Sequence, residues 1–188
     1  MRFFQSIALI CGVGSLIGCG GAQSGAALYA GPGSGSPAER YFPIVDGNIY
    51  SYATKDSALG DGLLTARAHR IDATHGELIV GGKTKAFVFV GDALTYATGA
   101  VVLKAPFEKG SSWEGEHGCP TTIAETGVNV ELLEKTLEGC FETVEACPAA
   151  TNYRTVFCPD VGIARLIVEK GKERAVVQLR SYGKPITL

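Results

Sequence analysis

The chain has no cluster of Lys or Arg: its 17 basic residues are outnumbered by 19 acidic ones, for a formal charge of −2. Without a basic face it offers no footprint for nucleic acid and no polybasic patch for an anionic membrane. Histidine is scarce as well. The three present, His69, His75 and His117, fall in no His-x-x-x-His or His-Glu-x-x-His spacing. There is no Cys-x2-Cys pair and no Gly-x-Ser-x-Gly elbow. Metal, dithiol and serine-hydrolase chemistry therefore lack their usual carriers, and the sequence assigns no catalytic residue, metal ligand or cofactor. One near-miss is Glu77 to Thr84, which ends like a phosphate-binding loop in Gly82-Lys83-Thr84. Glu77 stands where that motif needs Gly, and Leu78-Ile79-Val80 reads as strand, so Gly81-Gly82 is better explained as a hairpin turn.

A long apolar run is also missing. The stretch Phe3 to Ile17, preceded by the single charge of Arg2, is interrupted by Gln5, Ser6, Gly12, Gly14 and Ser15. It is shorter than the ~20 residues a membrane-spanning helix requires and ends in small residues, as a cleavable signal segment does. Cys11 lies inside it and needs no function. The end of the run, Leu16-Ile17-Gly18-Cys19, resembles the lipobox of bacterial lipoproteins. That resemblance implies cleavage after residue 18 and a diacylglyceryl thioether on Cys19. Loss of Arg2 would leave 16 basic residues against 19 acids, a mature charge of −3. Attachment then comes from the acyl chains, which at ~0.8 kcal/mol per buried methylene hold a multiply acylated protein stably. Gly20 rather than Asp after Cys19 resembles an outer-membrane sorting signal, so the expected location is the bacterial cell envelope, with the outer membrane favoured.

Residues 19–40 read as the lipidated Cys and a tether. Gly20 to Arg40 contains six Gly and two Pro and keeps no hydrophobic period. A flexible coil of this length spans ~25 Å. Leu28 and Tyr29 are its only bulky apolar residues, expected to make incidental contacts.

Residues 41–188 read as one domain. Short segments rich in Val, Ile, Thr, Phe and Tyr alternate with period two and are separated by Gly, Asp and Asn. In Leu64 to His69, for example, Leu64, Ala66 and Ala68 share one face while Thr65, Arg67 and His69 share the other. Further strands are expected at 49–55, 77–80, 85–90, 94–97, 100–103, 113–117, 121–125, 128–133, 139–146, 153–158, 164–169 and 174–181. Such spacing leaves no room for helical crossovers. The expected fold is all-β: a single antiparallel, strongly curved meander or partly open barrel, with a two-sheet sandwich as the alternative. A helix competes only at Val130 to Leu137, which reads as strand from its flanks. Pro43 to Tyr50 and Pro106 to Trp113 share Pro-x3-Gly-x2-aromatic, either a duplicated half or two ordinary turn-into-strand entries, and Tyr50 and Trp113 are expected to pack in the core.

The combination of Tyr41-Phe42-Pro43, Gly47-Asn48, Tyr50 and Pro159-Asp160-Val161-Gly162 resembles a loose group of uncharacterised secreted bacterial lipoproteins. The resemblance spans most of residues 41–182 and implies the fold rather than an activity. Tyr50 stands where such domains more often carry Trp.

Beyond Cys19 the chain has Cys119, Cys140, Cys147 and Cys158. An even number of exported cysteines reads as two disulfides with three possible connectivities. A hairpin turning at 148–152 would bring Cys140 and Cys158 nearly opposite, which favours Cys140–Cys158 with Cys119–Cys147. A zinc site on these thiolates and His117 is the alternative. Glu114, Glu116, Glu142 and Glu145 lie at strand spacing, and paired acids for glycoside hydrolysis depend on their geometry. The function expected from all this is a non-enzymatic, membrane-anchored envelope lipoprotein that binds a hydrophobic ligand or a protein partner. A structural or surface-display protein and a hydrolase are the alternatives.

Overall fold

The computed structural model describes residues 29–56, 60–148 and 150–184. The expected signal segment, Cys19 and the first part of the tether lie outside the described residues. Alternation of apolar and polar side chains yields a first run of strands: Ile49–Asp56 (β1), Gly60–Arg70 (β2), His75–Val80 (β3), Lys83–Val90 (β4), Ala93–Tyr96 (β5) and Val101–Lys104 (β6). A second run follows: Ser112–Glu114 (β7), Pro120–Glu131 (β8), Thr136–Cys147 (β9), Thr151–Cys158 (β10), Gly162–Lys170 (β11) and Glu173–Gly183 (β12). All twelve are antiparallel and form one nearly closed, barrel-shaped sheet in the order β6-β5-β4-β3-β2-β1-β12-β11-β10-β9-β8-β7. β1 pairs with β12, so the two runs join through the first and last strands. The free edges, β6 and β7, are successive strands flanking an open seam. A single sheet takes the place of the sandwich alternative.

Three local expectations change. The strands foreseen at 121–125 and 128–133 are one strand, β8, whose register against β9 shifts between Ile123 and Glu125, Thr126 and Val128, and Val128 and Val130. Bulges absorb the extra residues and bend the strand instead of ending it. The segment Val130 to Leu137 is neither continuous strand nor helix: Leu132 N–H donates to Lys135 O at 2.8 Å, and Leu133 is 78% exposed at the tip of the β8–β9 turn. The strand foreseen at 113–117 stops at Glu114, because Gly115 N–H donates to Cys119 O across a tight turn. Gly81 and Gly82 do form the β3–β4 hairpin, with φ of 55° and 78° that suit residues without a Cβ.

Twelve strands enclose more width than their own inward side chains can fill, since about eight already suffice for a filled barrel. The chain preceding β1 fills one end. Ser36 caps a short helix, Pro37–Tyr41 (α1), by accepting from Ala38 N–H, and Pro37 occupies the first helical turn, where its missing N–H costs nothing. Ala38, Phe42 and Ile44 are buried inside the sheet. Phe42 lies 5.1 Å from Phe87 and 6.5 Å from Phe157 between ring centroids, while Tyr41 packs edge-on to Phe107 and Phe141. The folded part thus begins before residue 41, and residues 36–40 leave the tether: Ala38 is 0% exposed. Tyr29 also makes a specific contact, donating its N–H to Asp46 at 2.8 Å.

Charge closes this floor. The Arg70 side chain, 4% exposed, pairs with Glu39 of α1 at 2.8 Å, donates to the carbonyls of Asp72 and Ala73, and lies over the Phe89 ring. Asp46 accepts from Arg70 N–H at 3.0 Å. A buried guanidinium needs this full set of partners. Phe42→Ala, which removes the central ring of the plug, is expected to cost about 3–5 kcal/mol in urea denaturation. A cost below about 1 kcal/mol would show that the plug is not part of the cooperative fold.

Candidate functional site

Above the plug the lumen stays open as a cavity of about 230 Å³. Its floor is Phe42, and its walls are apolar residues of both runs, among them Tyr52 (β1), Leu64 and Ala66 (β2), Leu78 (β3), Leu166 (β11) and Val177 (β12). The register explains why they converge. Tyr52 sits opposite Leu64, Ala66 opposite Val80, Thr155 opposite Leu166 and Leu166 opposite Val177, so inward positions form continuous rows across the sheet. The alternation expected in Leu64 to His69 holds: Ala66 and Ala68 are buried while Thr65 and Arg67 are exposed.

Polar groups gather on the wall beside the seam. Thr121 (β8) is the register partner of Glu145 (β9), which is the partner of Tyr153 (β10), and all three line the cavity. Glu145 is 7% exposed and accepts from His117 twice, from the backbone N–H at 2.7 Å and from Nδ1 at 2.9 Å. The His117 ring stacks on Tyr153 at 3.8 Å with an interplanar angle of 6°. Across the seam, Lys85 (β4) reaches Glu116 at 3.2 Å and the Tyr96 hydroxyl at 3.4 Å. Burial, followed by the charge of Glu116, pushes the Tyr96 hydroxyl well above its ordinary range. Burial also raises the hydroxyls of Tyr52 and Tyr50 above their ordinary value.

The loop that carries Glu116 and His117 is pinned at the mouth. Cys119 bonds to Cys147 at the end of β9, and Cys140 bonds to Cys158 near the floor. These are the pairs the hairpin register favours, since Phe141 and Phe157 are direct partners beside the second bond. The Sγ atoms of Cys119 and Cys147 lie within 4.8 Å of the Glu145 carboxylate. Both sulfurs are committed to the disulfide, so this cluster offers a metal one carboxylate and no thiolate, and His117 is engaged by Glu145.

The candidate acids separate. Glu116 and Glu145 line the cavity, each already paired, whereas Glu142 makes ion pairs with Arg154 and Arg165, and Glu114 is exposed. His69 faces Glu77, and His75 lies in the turn where Asp72 accepts from Thr74 N–H and from His75; those bonds hold the Asp72 carboxyl well below the usual carboxylate range. Tyr50 is buried in the core and donates to Pro43 O, while Trp113 packs against the core partly exposed. The His117–Glu145 pair joins residues 28 apart and had no local motif. Its trace in sequence was parity: Glu145 shares the face of Phe141 and Thr143.

No family model and no curated protein matches the chain. Solved structures do resemble it. A Bacteroides fragilis protein, provisionally described as exported and of YmcC-like fold, superposes with a TM-score of 0.48 at 10% identity, over 74% of this chain and 96% of that one. A protein provisionally described as a lipoprotein, from Parabacteroides distasonis, superposes with a TM-score of 0.41 at 9% identity, over 76% and 98%.

Tyr50 and Tyr52, which are buried, and Tyr96, which is partly buried, make a pH test. Their hydroxyls hold protons more tightly folded than unfolded, so the stability they contribute is complete below about pH 10 and declines as pH rises above it. In an alkaline titration, part of the tyrosinate absorbance is expected to appear only with loss of the near-ultraviolet circular dichroism. Reversible ionisation of all seven tyrosines near pH 10, with the dichroism intact, would contradict these burials.

Proposed function

We propose that this protein is a lipid-anchored, non-enzymatic lipoprotein of the bacterial cell envelope that holds a small hydrophobic ligand in the lumen of its barrel. The observation that carries the reading is the cavity of about 230 Å³, walled by apolar side chains and floored by Phe42. At ~30 Å³ per water-sized group, such a volume encloses on the order of ten heavy atoms, and a larger ligand enters with part of its length and leaves the rest at the open mouth. Eight buried methylenes supply about 6 kcal/mol of transfer free energy before the costs of association. Preformed apolar pockets with a few convergent polar groups are the usual form of a small-molecule site. A display protein has no use for an apolar cavity. Anchorage rests on Leu16-Ile17-Gly18-Cys19, and two disulfides suit an oxidising compartment.

The neutral fluorophore N-phenyl-1-naphthylamine is expected to brighten on binding, and Ala66→Phe, which fills the lumen, to abolish the signal. Should Ala66→Phe fail to fold, Val80→Phe on the opposed wall position serves the same purpose. Unchanged binding in both folded variants would refute a luminal site. Cys19→Ser is expected to free the protein from the membrane fraction while the fold and disulfides remain. Membrane association undiminished by that change would remove the anchor.

A hydrolase is the second reading, favoured by the His117–Glu145 pair at the cavity wall. It ranks second because no hydroxyl in the cavity is hydrogen-bonded to His117 among the described residues; the Thr121 hydroxyl has no partner. Hydrolysis of p-nitrophenyl octanoate that is lost in His117→Ala would reverse the order.

A further inference from the structure

Resting on the luminal-ligand reading, we propose that the cavity selects a single-chain aliphatic amine, its head held by Glu145 and Thr121 and its chain lying among the apolar walls toward Phe42. Three observations converge on the head site. Thr121 is 5% exposed, and its Oγ1 is buried with no hydrogen-bond partner. A buried hydroxyl left unpaired is unfavourable, and a ligand's donor would satisfy it. Beside it in register stands Glu145, each of whose carboxylate oxygens accepts once from His117. Each oxygen keeps a further lone pair. Gly115 makes the close approach possible, since a Cβ at that position would collide with Thr121 Oγ1 and Glu145 Oε1. The Gly115 backbone therefore holds these two oxygens side by side.

Charge sets the sign of the head. The cavity is lined by two carboxylates, Glu116 and Glu145, and by one ammonium, Lys85. Lys85 is engaged by Glu116, and His117 is engaged by Glu145. Two carboxylates against one ammonium leave the lining with an excess of negative charge. A fatty acid would bring a third carboxylate beside Glu116 and Glu145, whereas an ammonium finds acceptor oxygens with lone pairs still free. The Cys119–Cys147 bond holds the loop bearing His117 against the end of β9, so the site is largely preorganised.

Calorimetric titration of the full chain carrying Cys19→Ser, exported so that both disulfides form, tests this with octylamine and octanoate. Octylamine is expected to bind at least about tenfold more tightly than octanoate at neutral pH and low salt. Thr121→Val is expected to weaken octylamine by about fivefold, with N-phenyl-1-naphthylamine affinity and the denaturation midpoint unchanged or higher. Glu145→Gln should erase the preference for amine over acid. If octanoate binds as tightly as octylamine, or the preference survives Glu145→Gln, while the naphthylamine still binds, the amine site is overturned and the luminal reading stands. If no probe binds, both fall together.

Discussion

Everything in this molecule follows from one geometrical constraint: a nearly closed sheet of twelve strands is wider than its own inward side chains can fill. Something else must occupy the space or the sheet collapses. The chain entering β1 does so at one end, where Ala38, Phe42 and Ile44 are buried and Arg70 pairs with Glu39. Because the plug reaches only as far as Phe42, a cavity of about 230 Å³ stays open above it. Core and cavity are therefore two consequences of the same excess width.

The seam between β6 and β7 concentrates the polar chemistry. Around most of the circumference, strand pairing satisfies the backbone and apolar rows line the interior. At the seam the two halves of the sheet are joined by side chains. Lys85 meets Glu116 from one side, and Phe107 packs against Phe141 and Tyr41 below. The two disulfides sit in the β8–β10 half, one near each end, and fasten the loop beside the mouth. The cavity wall is therefore apolar over most of its area and polar at one seam.

How much of the site was legible depends on range. The exposure of Thr65 and Arg67 on either side of buried Ala66 is written in alternate residues, whereas Phe141, Thr143 and Glu145 share a face opposite Val144 and Ala146, so the pattern alone does not say which side turns inward. Glu145 read as one of several acids at strand spacing. Its partnership with His117 and its position opposite Thr121 depend on β8 pairing with β9 at a register shifted by bulges, which no local pattern announces. The packing of α1 was illegible for a related reason. Residues 36–40 have the composition of a linker, with Ser36, Pro37 and Ala38, but small residues are also what fit the inside of a crowded barrel, and Ala38 is fully buried there.

Alternation of period two is a property of neighbouring residues, so the sequence was sufficient for the all-β class, for most strands and for the Gly81-Gly82 hairpin, while it only favoured one of three cysteine pairings. Closure is a property of the whole circumference. That β1 meets β12, that the seam falls between β6 and β7, and that a plug leaves about 230 Å³ above it depend on summing twelve strand widths and twists. Those sums are contained in no single segment, and so the cavity and its acid-lined wall emerge only in the folded chain.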